Sequence, residues 1–306
     1  MIRNQIFKRF YSELVSYVPK SSPLSRLEKL QFQNYLLNCN NIVALTGAGV
    51  STESGIPDYR SPEIGIFNRT NYKPINGSEF LNNEASRIRY WARNYMAWPK
   101  FSSKLPNRTH NMLAFYEQLD NKISHVITQN VDGLHYKAGS RKIVELHGNA
   151  FWVQCLKCKH FVSRYDFQKY LHNLNPNIMP PENTSALRPD GDVEITEDIY
   201  KNFKIPDCEK CGGLMKPAVV FFGDNVPKRR VKQVEEIVEN CESLLVMGTT
   251  LSTLSSYRIV KQAYDLCKLI ILVNIGPTKG DKLADLVINA NCCEVFPDLQ
   301  ETNMSW

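Results

Sequence analysis

Ile42-Val43-Ala44-Leu45-Thr46-Gly47-Ala48-Gly49-Val50-Ser51 sets an apolar, β-branched run directly against a glycine-rich turn. A run of this length reads as a strand. Its unbroken apolarity predicts burial on both faces, as in a parallel sheet covered by helices. Glycines straight after such a strand let the chain turn tightly and let backbone amides approach a pyrophosphate. The spacing is Gly47-x-Gly49 with the next glycine at Gly55, which departs from the usual dinucleotide fingerprint. No acidic residue stands clearly at the end of the next strand to hold a ribose. Taken alone, the turn fits a nucleotide site and a plain structural turn about equally. Beyond it, Gly55-Ile56-Pro57-Asp58-Tyr59-Arg60 brings a proline-stiffened loop with an acid and a cation next to the turn.

Similar runs recur at 125–128, 143–146, 218–222, 244–247, 269–273 and 285–288, with helical stretches over 228–241 and 253–265. Alternating strands and helices predict an α/β fold, a doubly wound parallel sheet of Rossmann type. Two segments break the alternation and read as insertions. Residues 68–104 are rich in aromatic and basic residues and predict short helices. Residues 150–213 hold four cysteines around a Pro/Asn-rich middle. The expected division is a Rossmann-like domain over 29–67, 105–149 and 214–300, a helical module over 68–104 and a zinc-binding module over 150–213.

The ends of two strands carry polar chemistry. The run at 125–128 ends in Gln129-Asn130-Val131-Asp132-Gly133, and the next ends in Glu145-Leu146-His147-Gly148. Amides, a carboxylate and an imidazole at the C-terminal ends of parallel strands lie where α/β folds bind ligands. A polar turn and a structural histidine remain open readings of these segments. An imidazole with an ordinary pKa of about 6.5 also suits a general base.

Cys155-x-x-Cys158 and Cys208-x-x-Cys211 offer four thiolates in two pairs, the donor set of a tetrahedral zinc site. Four cysteine ligands leave no position for water or substrate, so the predicted ion is structural. The 49 residues between the pairs exceed the usual ~15–20. Loop entropy grows only logarithmically, so the excess costs about 1 kcal/mol, against ~10–16 kcal/mol from zinc binding. The other cysteines, Cys39, Cys241, Cys267, Cys292 and Cys293, mostly lie in apolar surroundings and are expected as free core residues.

Composition narrows the class. The net charge of +6 is concentrated in the first 30 residues, which hold six basic residues against two acidic ones. The body is near neutral and nothing in it points to nucleic acid. No apolar stretch approaches the ~18 residues of a membrane span. The first twelve residues carry Arg and Lys but no acid, with Ile2, Ile6, Phe7 and Phe10 at near-helical spacing. That pattern fits a solvated tail or, the preferred reading, a mitochondrial transit peptide over residues 1–28. The expected location is the mitochondrial matrix.

These motifs, in this order, together with Val220-Phe221-Phe222-Gly223 and Gly248-Thr249-Thr250-Leu251, resemble the sirtuin family from about residue 35 to 297. Tyr90-Trp91-Ala92-Arg93-Asn94, Pro189-Asp190-Gly191-Asp192 and Asn274-Ile275-Gly276-Pro277-Thr278 are similar to its mitochondrial class II branch. The resemblance implies an NAD-dependent protein-lysine deacylase, with lipoamidase or deacetylase activity in its range. Mono-ADP-ribosyl transfer and a non-catalytic NAD-binding scaffold are the alternatives. It implies that Gly47, Ala48, Gly49, Ser51, Asp58, Tyr59, Arg60 and Phe67 hold the diphosphate and nicotinamide ribose. Gln129, Asn130, Val131 and Asp132 would line the nicotinamide end. Gly248, Thr249, Thr250, Asn274, Ile275, Gly276 and Cys292 would hold the adenosine half. Val220, Phe221 and Gly223 would meet the acyl-lysine, with the peptide adding as a strand. His147, Asn130 and Asp132 would be catalytic. In the implied chemistry the acyl oxygen attacks the nicotinamide ribose, nicotinamide leaves, and His147 then takes a proton from a ribose hydroxyl. The implied partners are acyl-lysine proteins, mitochondrial metabolic enzymes among them, with neither nucleic acid nor membrane.

Three positions depart from the common family pattern. Tyr59 stands where phenylalanine is usual and Asp224 where glutamate is usual. The long spacer between the cysteine pairs could reach the acyl channel. Tyr90 and Arg93 have the Tyr-x-x-Arg spacing of sirtuins that remove acidic acyl groups, but are expected on an exposed helix face.

Overall fold

The computed structural model describes residues 17–69, 72–119, 122–180 and 187–297. The transit-peptide expectation lies largely outside them. Its described part includes the start of a helix whose N-terminus is closed reciprocally by Ser25 and Glu28.

The chain runs through β1 (Ile42–Thr46), β2 (Ile123–Thr128) and β3 (Ile143–Glu145). It then forms β4 (Gly148–Cys155), β5 (Phe161–Ser163) and β6 (Met215–Val219), and returns through β7 (Ser243–Met247), β8 (Leu269–Val273) and β9 (Leu286–Ile288). The helices are α1 (Arg26–Asn38), α2 (Ile66–Arg69), α3 (Gly77–Asn82), α4 (Glu84–Ser102), α5 (Arg108–Gln118), α6 (Leu134–Lys137), α7 (Arg164–Leu174), α8 (Glu197–Tyr200), α9 (Lys228–Asn240) and α10 (Leu254–Asp265). A six-stranded sheet in the order β3-β2-β1-β7-β8-β9 is parallel throughout. Its order reverses between β1 and β7, the switch point at which doubly wound sheets bind ligands.

Period-two alternation explains how β1 is buried on both sides. Ile42 and Ala44 face a core with Phe32 and Leu36 of α1 and Leu113 of α5. Val43 and Leu45 face Val234 and Val238 of α9 and Ile259 and Val260 of α10. Each fully buried Ile, Leu or Phe contributes roughly 1.5–3 kcal/mol. The expected doubly wound sheet is thus present.

One expected strand belongs elsewhere. The run at 218–222 is not part of the parallel sheet. The strand covers Met215–Val219 and lies antiparallel to β4 in a three-stranded sheet of order β5-β4-β6. The apolar run is real, but its partner is the small domain. The chain therefore leaves that domain after Val219 rather than at residue 214. The helices of 68–104 are also not all short, since α4 spans 19 residues. Its length follows from its task. Trp91, Tyr95, Trp98 and Phe101 are buried along it and form a core with Val153, Phe167 and Met215. Arg164 is 2% exposed there, its guanidinium 4.5 Å from the centre of the Trp98 ring, a contact that offsets part of its desolvation.

Candidate active site

Because the strands are parallel and in step, their C-terminal ends line up. Thr46 pairs with Thr128 on one side and Met247 on the other. The loops after β1, β2, β3, β7 and β8 therefore open together into a cleft of about 1350 Å³ between the parallel sheet and the small domain. Single-ligand pockets are typically ~300–1,000 Å³, so this space can take two reactants.

At the switch point the glycine turns interlock. Gly248 adopts φ +59°, and a Cβ there would lie 2.5 Å from the Val50 amide nitrogen. Gly47 N–H donates to the Met247 carbonyl at 3.1 Å and Gly49 N–H to the Gly248 carbonyl at 2.9 Å. Only glycines allow this approach. Every predicted cofactor residue lines the cleft except Gly47 and Phe67. Gly47 lies behind the wall under Thr249. Phe67 packs on the Tyr59 ring at 5.3 Å, with the Arg60 guanidinium 5.3 Å from its own ring centre.

The polar residues after β2 are held by one another. Asn130 Nδ2 donates to the Gly47 carbonyl at 2.9 Å and to Ser51 Oγ at 3.1 Å. Ser51 Oγ donates in turn to Asp132 Oδ2 at 2.7 Å. Burial pushes the Asp132 carboxyl above its ordinary pKa, against the Leu134 amide and Ser51 hydroxyl that favour the carboxylate. Gln129 Nε2 reaches Thr249 Oγ1 at 3.0 Å, tying the β2 loop to the β7 loop.

His147 follows β3. Its Nδ1 lies 3.1 Å from the Gln129 carbonyl and its Nε2 2.9 Å from Ser255 Oγ. A carbonyl only accepts, so Nδ1 carries the proton and Nε2 keeps its lone pair. Burial lowers the imidazole pKa, and Arg230 adds to the effect. A neutral base is thereby favoured below the ordinary titration range. The position is fixed from both sides: Val220 N–H donates to the His147 carbonyl at 2.8 Å, and Gly148 crosses β6 so closely that a Cβ would lie 2.1 Å from the Ala218 carbonyl.

The four cysteines of the small domain converge. Their sulfurs all lie within 4.8 Å of one another, with Cys155 to Cys211 at 3.5 Å and Cys158 to Cys208 at 3.7 Å. Tetrahedral zinc with bonds of ~2.3 Å needs sulfurs about 3.8 Å apart, so the donor set fits. None of the four lines the cleft, in keeping with a structural ion. Among the remaining cysteines, Cys267 is exposed and Cys293 partly so, which corrects their expected place in the core.

A Sir2 family model matches residues 47–255.

The chain belongs to the Sir2 family.

It is similar to the NAD-dependent protein deacylase Sirt4 of Drosophila melanogaster, 48% identical over 92% of this chain and 90% of that one. It is also similar to the human NAD-dependent protein lipoamidase sirtuin-4, mitochondrial, at 43% over 92% and 88%. A Sir2 protein solved with a deacetylated p53 peptide and 3′-O-acetyl ADP-ribose superposes with a TM-score of 0.68 at 28% identity, covering 87% of this chain and 94% of that one. A sirtuin therefore carries the site described above.

The spacer and the Tyr90–Arg93 pair gain a physical setting. Arg93 donates to Asp192 Oδ1 and to the Val193 carbonyl, both at 3.0 Å. Arg188 binds the same Asp192 oxygen at 2.9 Å, and Tyr72 donates to Asp190 Oδ2 at 2.7 Å. These bonds pin the spacer so that Pro189 and Asp190 line the cleft. Tyr90 and Arg93 are accordingly not on an exposed face. Tyr90 is 8% exposed, packed on Phe80 and Phe221. Arg93 is spent on Asp192 and does not line the cleft. Thr253, Ser255 and Ile75 also line it. Nothing in the sequence pattern singled these out, because each is an ordinary residue whose place depends on which loops meet.

Proposed function

We propose that this sirtuin is a protein-lysine deacylase that transfers the acyl group to ADP-ribose, releasing nicotinamide and free lysine with uptake of one water. The observation that carries the reading is the His147 imidazole, held at Nδ1 by the Gln129 carbonyl so that Nε2 keeps its lone pair, in the cleft that Asn130 and Asp132 also line. When bound, NAD supplies the ribose carbon whose bond to nicotinamide breaks and the hydroxyl that accepts the acyl group. The interlocked turns at Gly47–Gly49 and Gly248–Thr250 would hold its phosphates and adenosine half, with Asn274, Ile275, Gly276 and Cys292. Asn130, Asp132 and Gln129 would hold the nicotinamide end. His147 Nε2 would take the proton of the accepting hydroxyl. Phe221 and Tyr90 would wall the acyl chain, and Val220 would offer its carbonyl to the lysine amide. A neutral amide oxygen is a weak nucleophile, so holding the reactants in line supplies much of the rate.

Incubation with NAD and acetyl, long-chain, lipoyl, biotinyl, glutaryl and methylglutaryl lysine peptides tests this. Nicotinamide release should equal loss of acyl mass from one or more peptides. Nicotinamide release with mass added to a protein would instead mean ADP-ribosyl transfer.

Mitochondrial matrix enzymes bearing acyl-lysine are the proposed substrates. The human and bovine relatives are named mitochondrial, and the acid-free, basic start of this chain supports the same address. Residues 1–30 fused to a reporter should send it to mitochondria; a diffuse cytosolic reporter would count against it.

A further inference from the structure

Ser255 touches the base and has no task in the mechanism above. It is the second residue of α10, whose N-cap is Thr253. The amino end of this helix therefore lies at the imidazole, and its positive dipole disfavours a second positive charge there. Since His147 Nδ1 must donate to the Gln129 carbonyl, the bond at Nε2 has one possible direction: the Ser255 hydroxyl donates and the imidazole accepts. The same hydroxyl lies 3.3 Å from Thr253 Oγ1. One proton thus has two acceptors within reach and can serve only one at a time.

We propose that Ser255 is a positioning residue for the base: its hydroxyl donates to His147 Nε2 in the NAD-free protein, keeps that lone pair aimed into the cleft, and turns to Thr253 Oγ1 when the ribose hydroxyl takes its place. The exchange leaves the half-buried Ser255 hydroxyl with a partner, so the arriving substrate displaces it at little cost. It also keeps the imidazole neutral until it is used, because a donor at Nε2 binds only the unprotonated ring. The charged group that acts on the ring is Arg230 on α9, which donates to the Leu146 carbonyl at 3.2 Å; Glu145 at the end of β3 acts on Arg230, and Asp132 after β2 acts on Glu145. Arg230 disfavours the imidazolium. Glu145 has its own carboxyl pushed up to about 7, chiefly by burial, so its counter-charge to Arg230 is weakened near neutrality.

The proposal rests on His147 being the base, and its test separates the two. In the full chain without NAD, the His147 ring nitrogens are followed by NMR against pH, with the signal assigned by its absence in His147→Ala. Ser255→Ala should raise the titration midpoint by about half a unit to one unit, the size of one lost hydrogen bond. Ser255→Thr, which keeps a hydroxyl, should restore it. With a peptide that the wild type deacylates, the acid limb of kcat/KM for NAD, which reports the NAD-free enzyme, should move up by the same amount in Ser255→Ala. Nicotinamide exchange, which precedes the use of the base, should keep its profile. An unchanged midpoint in Ser255→Ala, or an equal shift in Ser255→Thr, would overturn the role of Ser255. Continued deacylation by His147→Ala would instead remove His147 from its role, whatever Ser255 does to the titration.

Discussion

His147→Ala should lose deacylation by a factor of about 10²–10⁴, the usual worth of a general base, while its nicotinamide exchange persists. The split follows from the order of events. In the proposed order, breaking the bond to nicotinamide would draw on the acyl oxygen and on the Asn130–Ser51–Asp132 network, and the base would be needed only afterwards. The substitution should leave the fold in place. His147 is only partly buried, and its backbone carbonyl still accepts from Val220. Loss of the ring frees the Gln129 carbonyl and the Ser255 hydroxyl, both at the wall of a wet cleft where water can replace it. Initial rates of deacylated peptide and of labelled nicotinamide incorporation into NAD, measured on the same preparation, decide it. Equal loss of both would place His147 at the earlier step. Loss of neither would leave the bound proton acceptor unidentified.

The sign of the pH dependence belongs to the same prediction. Burial lowers the imidazole pKa, so the active neutral form persists as pH falls below about 6.5. Deacylation by the wild type should therefore hold its rate down to a limb on the acid side of that value. In linkage terms the unfolded chain takes up this proton first, so the same group makes the fold less stable as pH drops through that window.

How legible this was in sequence differs by element. β1 was legible as a covered strand of the sheet through its unbroken apolar run, while its turn alone left a nucleotide site and a structural turn open. Gln129, Asn130, Asp132 and His147 were legible as strand-end chemistry, and the cysteine pairs through their spacing. The run at 218–222 misled for a definite reason. Apolarity reports burial but not partner, and β6 is buried against β4 and the α4 aromatics. Tyr90 and Arg93 misled through an opposite gap. Their helix reads as aromatic and basic, and its burial depends on Phe167, Arg164 and Asp192 arriving from distant segments. Ser255 was invisible because a serine at a helix start usually means capping; only the meeting of the β3 and β7 loops gives it His147.

Removing one zinc ligand should act on the cleft although no cysteine lines it. Purified protein should carry one zinc per chain by elemental analysis, and Cys208→Ser should lose both the metal and the folded small domain. Cys208 is 4% exposed, and a serine hydroxyl stays protonated at neutral pH and binds zinc poorly. The ion is worth about 10–16 kcal/mol, comparable with the whole stability of a typical domain, roughly 5–15 kcal/mol. The damage has a path. Leu156 N–H donates to the Leu214 carbonyl at 2.9 Å, so the cysteine loops anchor the start of the β4–β6 ladder. That ladder ends with Gly148 opposite Val219, next to His147 and Val220. Without the ion the ladder frays toward the base and toward Phe221. The parallel sheet has its own cores on both faces, and its glycine turns are tied to one another rather than to β4. NAD binding should therefore outlast deacylation in Cys208→Ser or after chelation, seen as retained NAD affinity by calorimetry beside lost peptide turnover. Metal-free protein that stays fully folded and active would mean that the small domain needs only its aromatic core.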